Sequence, residues 1–591
     1  MEDIYMNWDL SKLYSGFNDE QLLADTSAAL EKLSALRTSI AALPGDNAAE
    51  NLAAIIADLQ EIITLQIKVG SFTFLTLSVD ANNAQSRAYQ GRVIEMNIES
   101  AQVNSALSRY LGSIEDLDAL ISGNSVLEEH AFLLKEFKEN AAHTIDPALE
   151  PTVLKLQMTG GTAWEQLRDQ LDANLIIPFE KDGEVENLPL SAIRGMAYSA
   201  DADIRRRAYE AELAAYPRTE IPIAACLNGI KGEALSLIEL KKYETVLDTA
   251  LDASRMDRAT LDALLAAMHE SLPMFRRYFR LKAKMLGYEG GLKFYDLFAP
   301  VGENVKQYTL DEARAILVDV MGRFSSKMSA FIDNAFEDRW IDVYPREGKT
   351  GGAFCSGVHP LRMSYIMTNF DGSFSSVSTL AHELGHAYHN LCTNDNSVLM
   401  SDYPMPLAET ASIFNETLLM EKTLAAADDA TKITLLEQQI GDAAQVVVDI
   451  LSRFLFEAEV IERRKDHNPS ARELCEIMID AQKKTYGEGL DPEYLHPYMW
   501  ACKSHYYSTG IHFYNFPYAF GMLFGYGVFA QYQEKGEAFV PEYDHLLAAT
   551  GSGNVRDVAA SVGIDVTDKA FWMKSVKTIE QKVDLLEKLI G

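Results

Sequence analysis

Leucine, alanine and isoleucine recur three and four positions apart through most of this chain, the spacing that gathers apolar side chains on one face of an α-helix. Segment 20–42 (EQLLADTSAALEKLSALRTSIAA) shows it first. Segments 46–69, 86–112, 125–140, 204–217, 225–242, 260–286, 310–335, 430–465, 471–485 and 574–590 repeat it. The pattern predicts a mainly α protein. Helix starts are marked by Thr309 ahead of LDEARAILVDVMGRF and by Asn468-Pro469-Ser470 ahead of ARELCEIMIDAQK. No unit recurs at a fixed period, so a repeat array is excluded.

The helical pattern fails at 339–377, which is rich in Gly, Ser, aromatic and β-branched residues. Short strands are expected at 340–344 and 363–370, with Gly and Asp turns between them. A single small sheet just ahead of the strongest motif is expected to belong to the working site. No Pro- or Gly-rich linker divides the chain, and a soft boundary is expected near 183–200. These features predict one compact body of two helical lobes.

Composition narrows the partners. Lys and Arg total 53 against 86 Asp and Glu, a net charge of −33. Such a surface repels phosphate backbones and anionic membranes, so neither nucleic acid nor membrane is an expected partner. Five scattered cysteines without a CxxC pair fit a reducing compartment. The first residues carry acids and no apolar core of a signal peptide, and no run of 18 apolar residues appears. The expected residence is cytoplasmic.

Residues 382–386 read His-Glu-Leu-Gly-His. Val377, Leu380, Leu384, Ala387 and Leu391 fall at helical spacing around them, so the motif lies on a helix with one buried face, with Ser375 and Ser376 as expected caps. Positions four apart share a face, about 6 Å apart, so His382 and His386 can both reach one zinc ion. Glu383 lies one step round, placed to accept a proton from an activated water.

Catalytic zinc takes a third protein ligand. A histidine-rich continuation fails here, because the chain has His389 and Cys392 where Gly and His would stand. The alternative is a Glu from a following helix. Pro404 and Pro406 break the chain before such a helix, and Glu409 sits in its first turns, 23 residues beyond His386. Glu409 is therefore assigned to the metal, with Asp402 as the alternative. Glu416, seven residues on, is placed to orient a ligand histidine through its other ring nitrogen. His389 lies on nearly the same face, placing it beside the ligands or in the core.

With these residues in hand, the chain resembles the oligoendopeptidase F branch of the thimet oligopeptidase family. The resemblance rests on HELGHAYH at 382–389 and AETASIFNE at 408–416. It extends to WDLSKLY at 8–14, YDLFAP at 295–300, HYY at 505–507 and FYNFPYAFG at 513–521. It implies two helical lobes enclosing a deep substrate channel, with a small β-sheet beside the HExxH helix. It implies one zinc ion per chain and short unfolded peptides as substrates. It implies that an extended substrate pairs with a strand made of Tyr365, Ile366, Met367, Thr368, Asn369 and Phe370, as in strand addition. It implies an N-terminal helical region at 1–114, a further helical domain at 115–183 and a catalytic domain at 184–591. It places oxyanion donors in the aromatic segment 494–532, with Tyr518, Tyr514 and His505 as the matching positions. His512, Tyr506 and Tyr507 stay as alternatives.

The function read from the sequence is zinc-dependent endopeptidase action on short oligopeptides, with Glu383 as general base. Two alternatives stand beside it: a peptidyl-dipeptidase or carboxypeptidase on the same site, and a zinc-bearing peptide-binding protein without turnover.

Overall fold

The computed structural model describes residues 6–43, 47–181, 183–302 and 306–591. The protein is 72% helical. The expected helices form where the apolar periodicity runs, with ends set by local chemistry. Thr309 and Ser470 close reciprocal capping boxes with Glu312 and Glu473, each satisfying two backbone donors that the first helical turn leaves open. The expected 310–335 helix breaks at Ser325, which ends Leu310–Phe324 and caps Ser326–Glu337 through its side chain. The 430–465 stretch carries a π-helical turn, Gln445–Asp449, between Asp429–Ala444 and Ile450–Arg464.

Two helices, Ala48–Val79 and Glu220–Lys241, are long and apolar enough by length and composition to cross a membrane. Both pack within the protein: the first against Glu20–Ala41 and Ala84–Gly112, the second against Gly161–Ala173 and Ile450–Arg464.

Among the described residues, five strands make two small sheets. β1 (Ile176–Lys181) and β2 (Glu184–Pro189) form an antiparallel hairpin. β2 opens the 183–200 segment that the sequence offered as a soft boundary. β3 (Ile341–Asp342), β4 (Phe354–Val358) and β5 (Met363–Met367) form a second sheet in the order β3-β5-β4. β5 pairs parallel with β3 and antiparallel with β4.

Packing divides the chain into two compact units, each drawn from three stretches. The first comprises Met1–Thr144, Val305–Ala425 and Val528–Ile564. The second comprises Ile145–Asn304, Ala426–Gly527 and Asp565–Gly591. These units cut across the contiguous spans 1–114, 115–183 and 184–591. In the first unit, helix Phe374–Thr393 packs on β4, β5, Ser326–Glu337 and Val540–Ala549. In the second, the C-terminal helix Lys569–Ile590 packs on Arg258–Met285 and Asp429–Ala444.

Candidate active site

Helix Phe374–Thr393 carries the His-Glu-Leu-Gly-His motif. Its N-cap is Ser373, whose side chain accepts from the Ser376 amide at 3.1 Å, two residues ahead of the expected serine caps. Val377, Leu380, Leu384 and Ala387 are buried, as the periodicity requires. This face anchors the helix, and His382 and His386 project from it in the same direction.

Glu409 arrives from the turn between Met405–Ala408 and Thr410–Ala426. The two segments approach with almost no space between backbones. A Cβ on Gly385 would lie 2.5 Å from the Ala411 carbonyl oxygen and 2.7 Å from Ser412 Cα, so only glycine fits. Asn415 Nδ2 donates to the Ala381 carbonyl at 3.2 Å, locking the register of the two helices.

The result is convergence. His382 Nε2 and His386 Nε2 lie 3.2 Å apart. Glu409 Oε2 lies 3.3 Å from the first and 3.6 Å from the second. Ligand atoms held at about 2.0–2.1 Å around a tetrahedral ion stand about 3.3 Å apart, so the three side chains fit a zinc-sized cation. Their outward sides are already engaged. Glu416 Oε1 lies 2.5 Å from His382 Nδ1, and the Ala408 backbone hydrogen-bonds His386. Ser412 Oγ donates to Glu409 Oε2 at 2.7 Å, orienting the carboxylate. Such outer partners fix tautomer and aim. Asp402, the alternative ligand, is not in the cluster.

Charge follows from this crowding. Burial opposes a charge on His382, but the Glu416 hydrogen bond and the charges of Glu416, Glu409 and Glu383 override it and raise its pKa to about 9. Burial and the His382 charge push His386 down. Glu383 is buried, and that burial with the charges of Glu409 and Glu416 raises it to about 7, against the pull of His382. A carboxylate tuned near neutrality suits general acid–base work.

His389 does not join the cluster. It is fully buried, stacked on Tyr403 at 3.9 Å between ring centroids, with Nε2 bonded to Thr550 Oγ1 at 2.8 Å. Its role is packing of the active helix.

The sheet corrects one expectation. Tyr365, Ile366 and Met367 lie in β5, which is the central strand and already paired on both sides. The Thr368 and Phe370 amides bond to the Asp342 and Val343 carbonyls. Tyr365, Ile366 and Met367 therefore have no open edge for a substrate strand, because the hydrophobic run that marks a buried central strand says nothing about which neighbour stays exposed. The edge strand beside the active helix is β4. Cys355 of β4 lies near enough to Glu383 for that charge to raise its thiol, after burial. Gly357 packs against the Asn390 side chain, with room for no Cβ: its nearest atom would be 2.8 Å away. Thr368, Asn369 and Phe370 instead line a cavity of about 260 Å³ that also meets Ser375, Ser376 and Thr379 of the active helix.

In the second unit, Tyr514 and Tyr518 join hydroxyls at 2.7 Å. The His505 ring stacks at 6.1 Å on Tyr514. Burial, with the charges of Arg453, Lys503 and Lys231, lowers the His505 pKa to about 3 and keeps the ring neutral. Tyr507 and His512 are engaged elsewhere, and the buried Tyr506 hydroxyl has no hydrogen-bond partner among the described residues. Tyr507 Oη donates to the Trp500 carbonyl at 3.0 Å, His512 Nδ1 lies 3.3 Å from Lys231 Nζ, and Tyr506 is fully buried. Phe513, just before Tyr514, has φ of 52°, a left-handed conformation that a bulky side chain adopts only under constraint.

The sequence profile of peptidase family M3 matches residues 195–578, well over half of the chain. The chain belongs to peptidase family M3. It is a metalloendopeptidase by type. Oligopeptidase PepF of Bacillus subtilis is 24% identical over 548 residues, covering 90% of this chain and 81% of that protein. An oligoendopeptidase F homolog of Lactococcus lactis is 23% identical, covering 99% of this chain and 97% of that protein. Among solved structures, oligoendopeptidase-F from Enterococcus faecium superposes with TM-score 0.71 at 19% identity, over 97% of this chain and 98% of that one. A chain from Chlamydophila abortus reaches 0.85 at 22% identity, over 99% and 98%. At these identities the structural likeness shows the fold.

Four contributors to the site escaped the sequence reading: Gly385, Ser412, Ala408 and β4. The motif pattern treats Gly385 as a spacer, and only the backbone approach at that point reveals its need.

Proposed function

We propose that this M3 peptidase is a zinc-dependent endopeptidase that hydrolyses internal bonds of short, unstructured oligopeptides. The convergence of His382, His386 and Glu409 beside Glu383 carries this reading, and the names of the relatives support the substrate class. A zinc ion held by these three side chains would supply Lewis acidity, lowering the pKa of a water and polarising the scissile carbonyl. Glu416 and the Ala408 backbone engage the outward ring nitrogens of His382 and His386 and so aim the other two inward, as ligation needs. Glu383 accepts the proton of the attacking water and passes it to the leaving amine, first base and then acid. Burial supports both halves of that role, because it keeps the group close to the pH at which it works. We assign Tyr518, with Tyr514 and His505, as donors to the oxyanion, an assignment that rests on the family resemblance and on their mutual contacts. A neutral His505 can donate a ring N–H without bringing a second charge.

The extended substrate backbone adds to the free edge of β4, which supplies main-chain hydrogen bonds whatever the side chains. The cavity lined by Thr368, Asn369 and Phe370 then takes a substrate side chain. Peptides compact enough to lack a free strand cannot pair in this way.

The test is cleavage of an internally quenched peptide blocked at both ends. Chelator should abolish cleavage and zinc should restore it. Glu383→Gln should retain zinc and lose about 10²–10⁴ in turnover. Full activity in that variant, or undiminished cleavage under chelation, refutes the assignment. Release of C-terminal residues only, with blocked peptides untouched, would show an exopeptidase on the same site.

A further inference from the structure

The second unit holds a cavity of about 280 Å³ that the chemistry above does not use. Five aromatic residues, Tyr198, Tyr209, Phe294, Tyr295 and Phe298, stand in its walls. Four charged side chains also reach it: Arg194, Arg205, Glu212 and Lys503.

The charges can be paired one by one. Arg205 Nε bonds Asp296 Oδ1 at 2.6 Å, and both residues are buried. Arg194 contacts Glu212 directly. Glu212 also accepts from Tyr216 Oη at 2.6 Å and faces His496 Nε2 at 3.2 Å. Burial opposes its charge, but His496 and Arg194 hold its pKa down to about 2, so it stays ionised, with these three contacts all on Oε1.

Lys503 is left over. Among the described residues no carboxylate lies within ion-pair distance of its ammonium. Asp449, whose charge reaches it, is bonded to Arg453 and to Tyr486 Oη at 3.2 Å. Burial and Arg453 push the Lys503 pKa below the ordinary lysine range. A half-buried ammonium with no counter-ion, at the edge of an aromatic cavity, is a costly arrangement unless something supplies the missing charge.

The missing partner is one negative charge next to an apolar group. Pockets for drug-sized ligands run from about 300 to 1,000 Å³, so this one suits a single residue. We propose that this cavity binds an α-carboxylate whose adjoining side chain is apolar, with Lys503 as counter-charge and the aromatic walls enclosing the side chain. Two sources offer that chemistry: a free apolar amino acid, or the C-terminal residue of a peptide. Glu212 meets Arg194, Tyr216 and His496 through Oε1 alone, so an acylated amine isolates the carboxylate end of the ligand from any contact with Oε2. Binding here requires neither zinc nor turnover, so its failure leaves the peptidase reading intact and the converse also holds.

The experiment is isothermal titration of the full chain with N-acetyl-L-phenylalanine and with its amide, which keeps the ring and removes the charge. The acid should bind at least about tenfold more tightly, the scale of one charge-assisted hydrogen bond. Lys503→Gln should bring the acid to the level of the amide. Ala197→Trp, which fills the cavity and leaves Lys503 in place, should abolish binding of both. Thermal melts of both variants establish that they are folded, and either one alone suffices for the test. N-acetyl-glycyl-phenylalanine separates the sources: retained affinity indicates a peptide C-terminus, and lost affinity a free amino acid, both supporting the site. Equal binding of acid and amide, no binding at millimolar concentration, or an acid preference that survives Lys503→Gln overturns it.

Discussion

Replacing Gly385 by alanine adds one methyl group to the active helix and nothing to its chemistry, yet it should disable the enzyme. The new Cβ would sit 2.5 Å from the Ala411 carbonyl oxygen, where ordinary contact begins at 3.4 Å, so the segments must part by 3.4 − 2.5 = 0.9 Å. The clashing atoms are backbone, and no rotamer change relieves them. The displaced segment bears Glu409 and Ser412, which bonds it at 2.7 Å. Ligand distances tolerate about 0.2 Å, and a 1 Å misplacement costs about 10²-fold in rate. Overpacking of this kind also lowers stability by about 1–3 kcal/mol. The assay is zinc content by elemental analysis, kcat/KM on a quenched peptide and a thermal melt. The control is Gly70→Ala in helix Ala48–Val79, where an added Cβ meets nothing within 4 Å. That change should stabilise by about 0.5–1 kcal/mol and leave activity alone. A Gly385→Ala protein with full zinc, normal kcat/KM and an unchanged melt would refute the claim that backbone contact at this point sets the ligand geometry.

Glu416→Gln keeps the size of the side chain but weakens its hold on His382, and zinc affinity measured by chelator competition should fall about 10–100-fold. Turnover at saturating zinc should fall less than affinity does. Tyr518→Phe should leave zinc content unchanged and lower kcat by about 10²–10³; an unaltered kcat removes Tyr518 from the oxyanion site. Burial and the Lys231 charge lower the His512 pKa to about 2. The neutral ring therefore favours the fold above the unfolded value of about 6.5, and that favour is lost as pH falls, by about 1.4 kcal/mol per unit. Urea midpoints should drop from pH 6.5 downward, and His512→Gln should flatten that slope; identical slopes would exclude the ring as a source.

The helices were legible because burial imposes a period on them. Leu380, Leu384 and Ala387 are buried where that period puts them, and Thr309 and Ser470 open their helices with the side chains that cap them. The histidine pair was legible for the same reason, since four residues on a helix fix a distance. Glu409 needed a chemical argument, the requirement for a third ligand, because 23 intervening residues fix no distance at all. The sheet was half legible. The run at 363–367 announced a strand, but strand order depends on partners far along the chain, and Tyr365 proved central rather than exposed. β2 lies in a charged stretch, EVENLP, too polar to announce a strand, and β1, IIPFEK, is short and interrupted by a proline. Helix breaks at Ser325 and the π turn at Gln445–Asp449 are local departures that apolar periodicity passes over.

Each compact unit is stitched from three separated stretches. During synthesis the stretch that carries the two ligand histidines emerges well before Val528–Ile564, which supplies Thr550 to His389 and Asp544 to Tyr388 on the same helix. The second unit waits longer still, for the helix Lys569–Ile590 at the far end. A nascent chain stopped short of residue 528 therefore holds every proposed metal ligand and lacks the buttress that steadies the helix of His382 and His386. Acquisition of the ion is expected late, once residues 528–564 have emerged and folded onto the helix, as a late step of maturation rather than a seed for it.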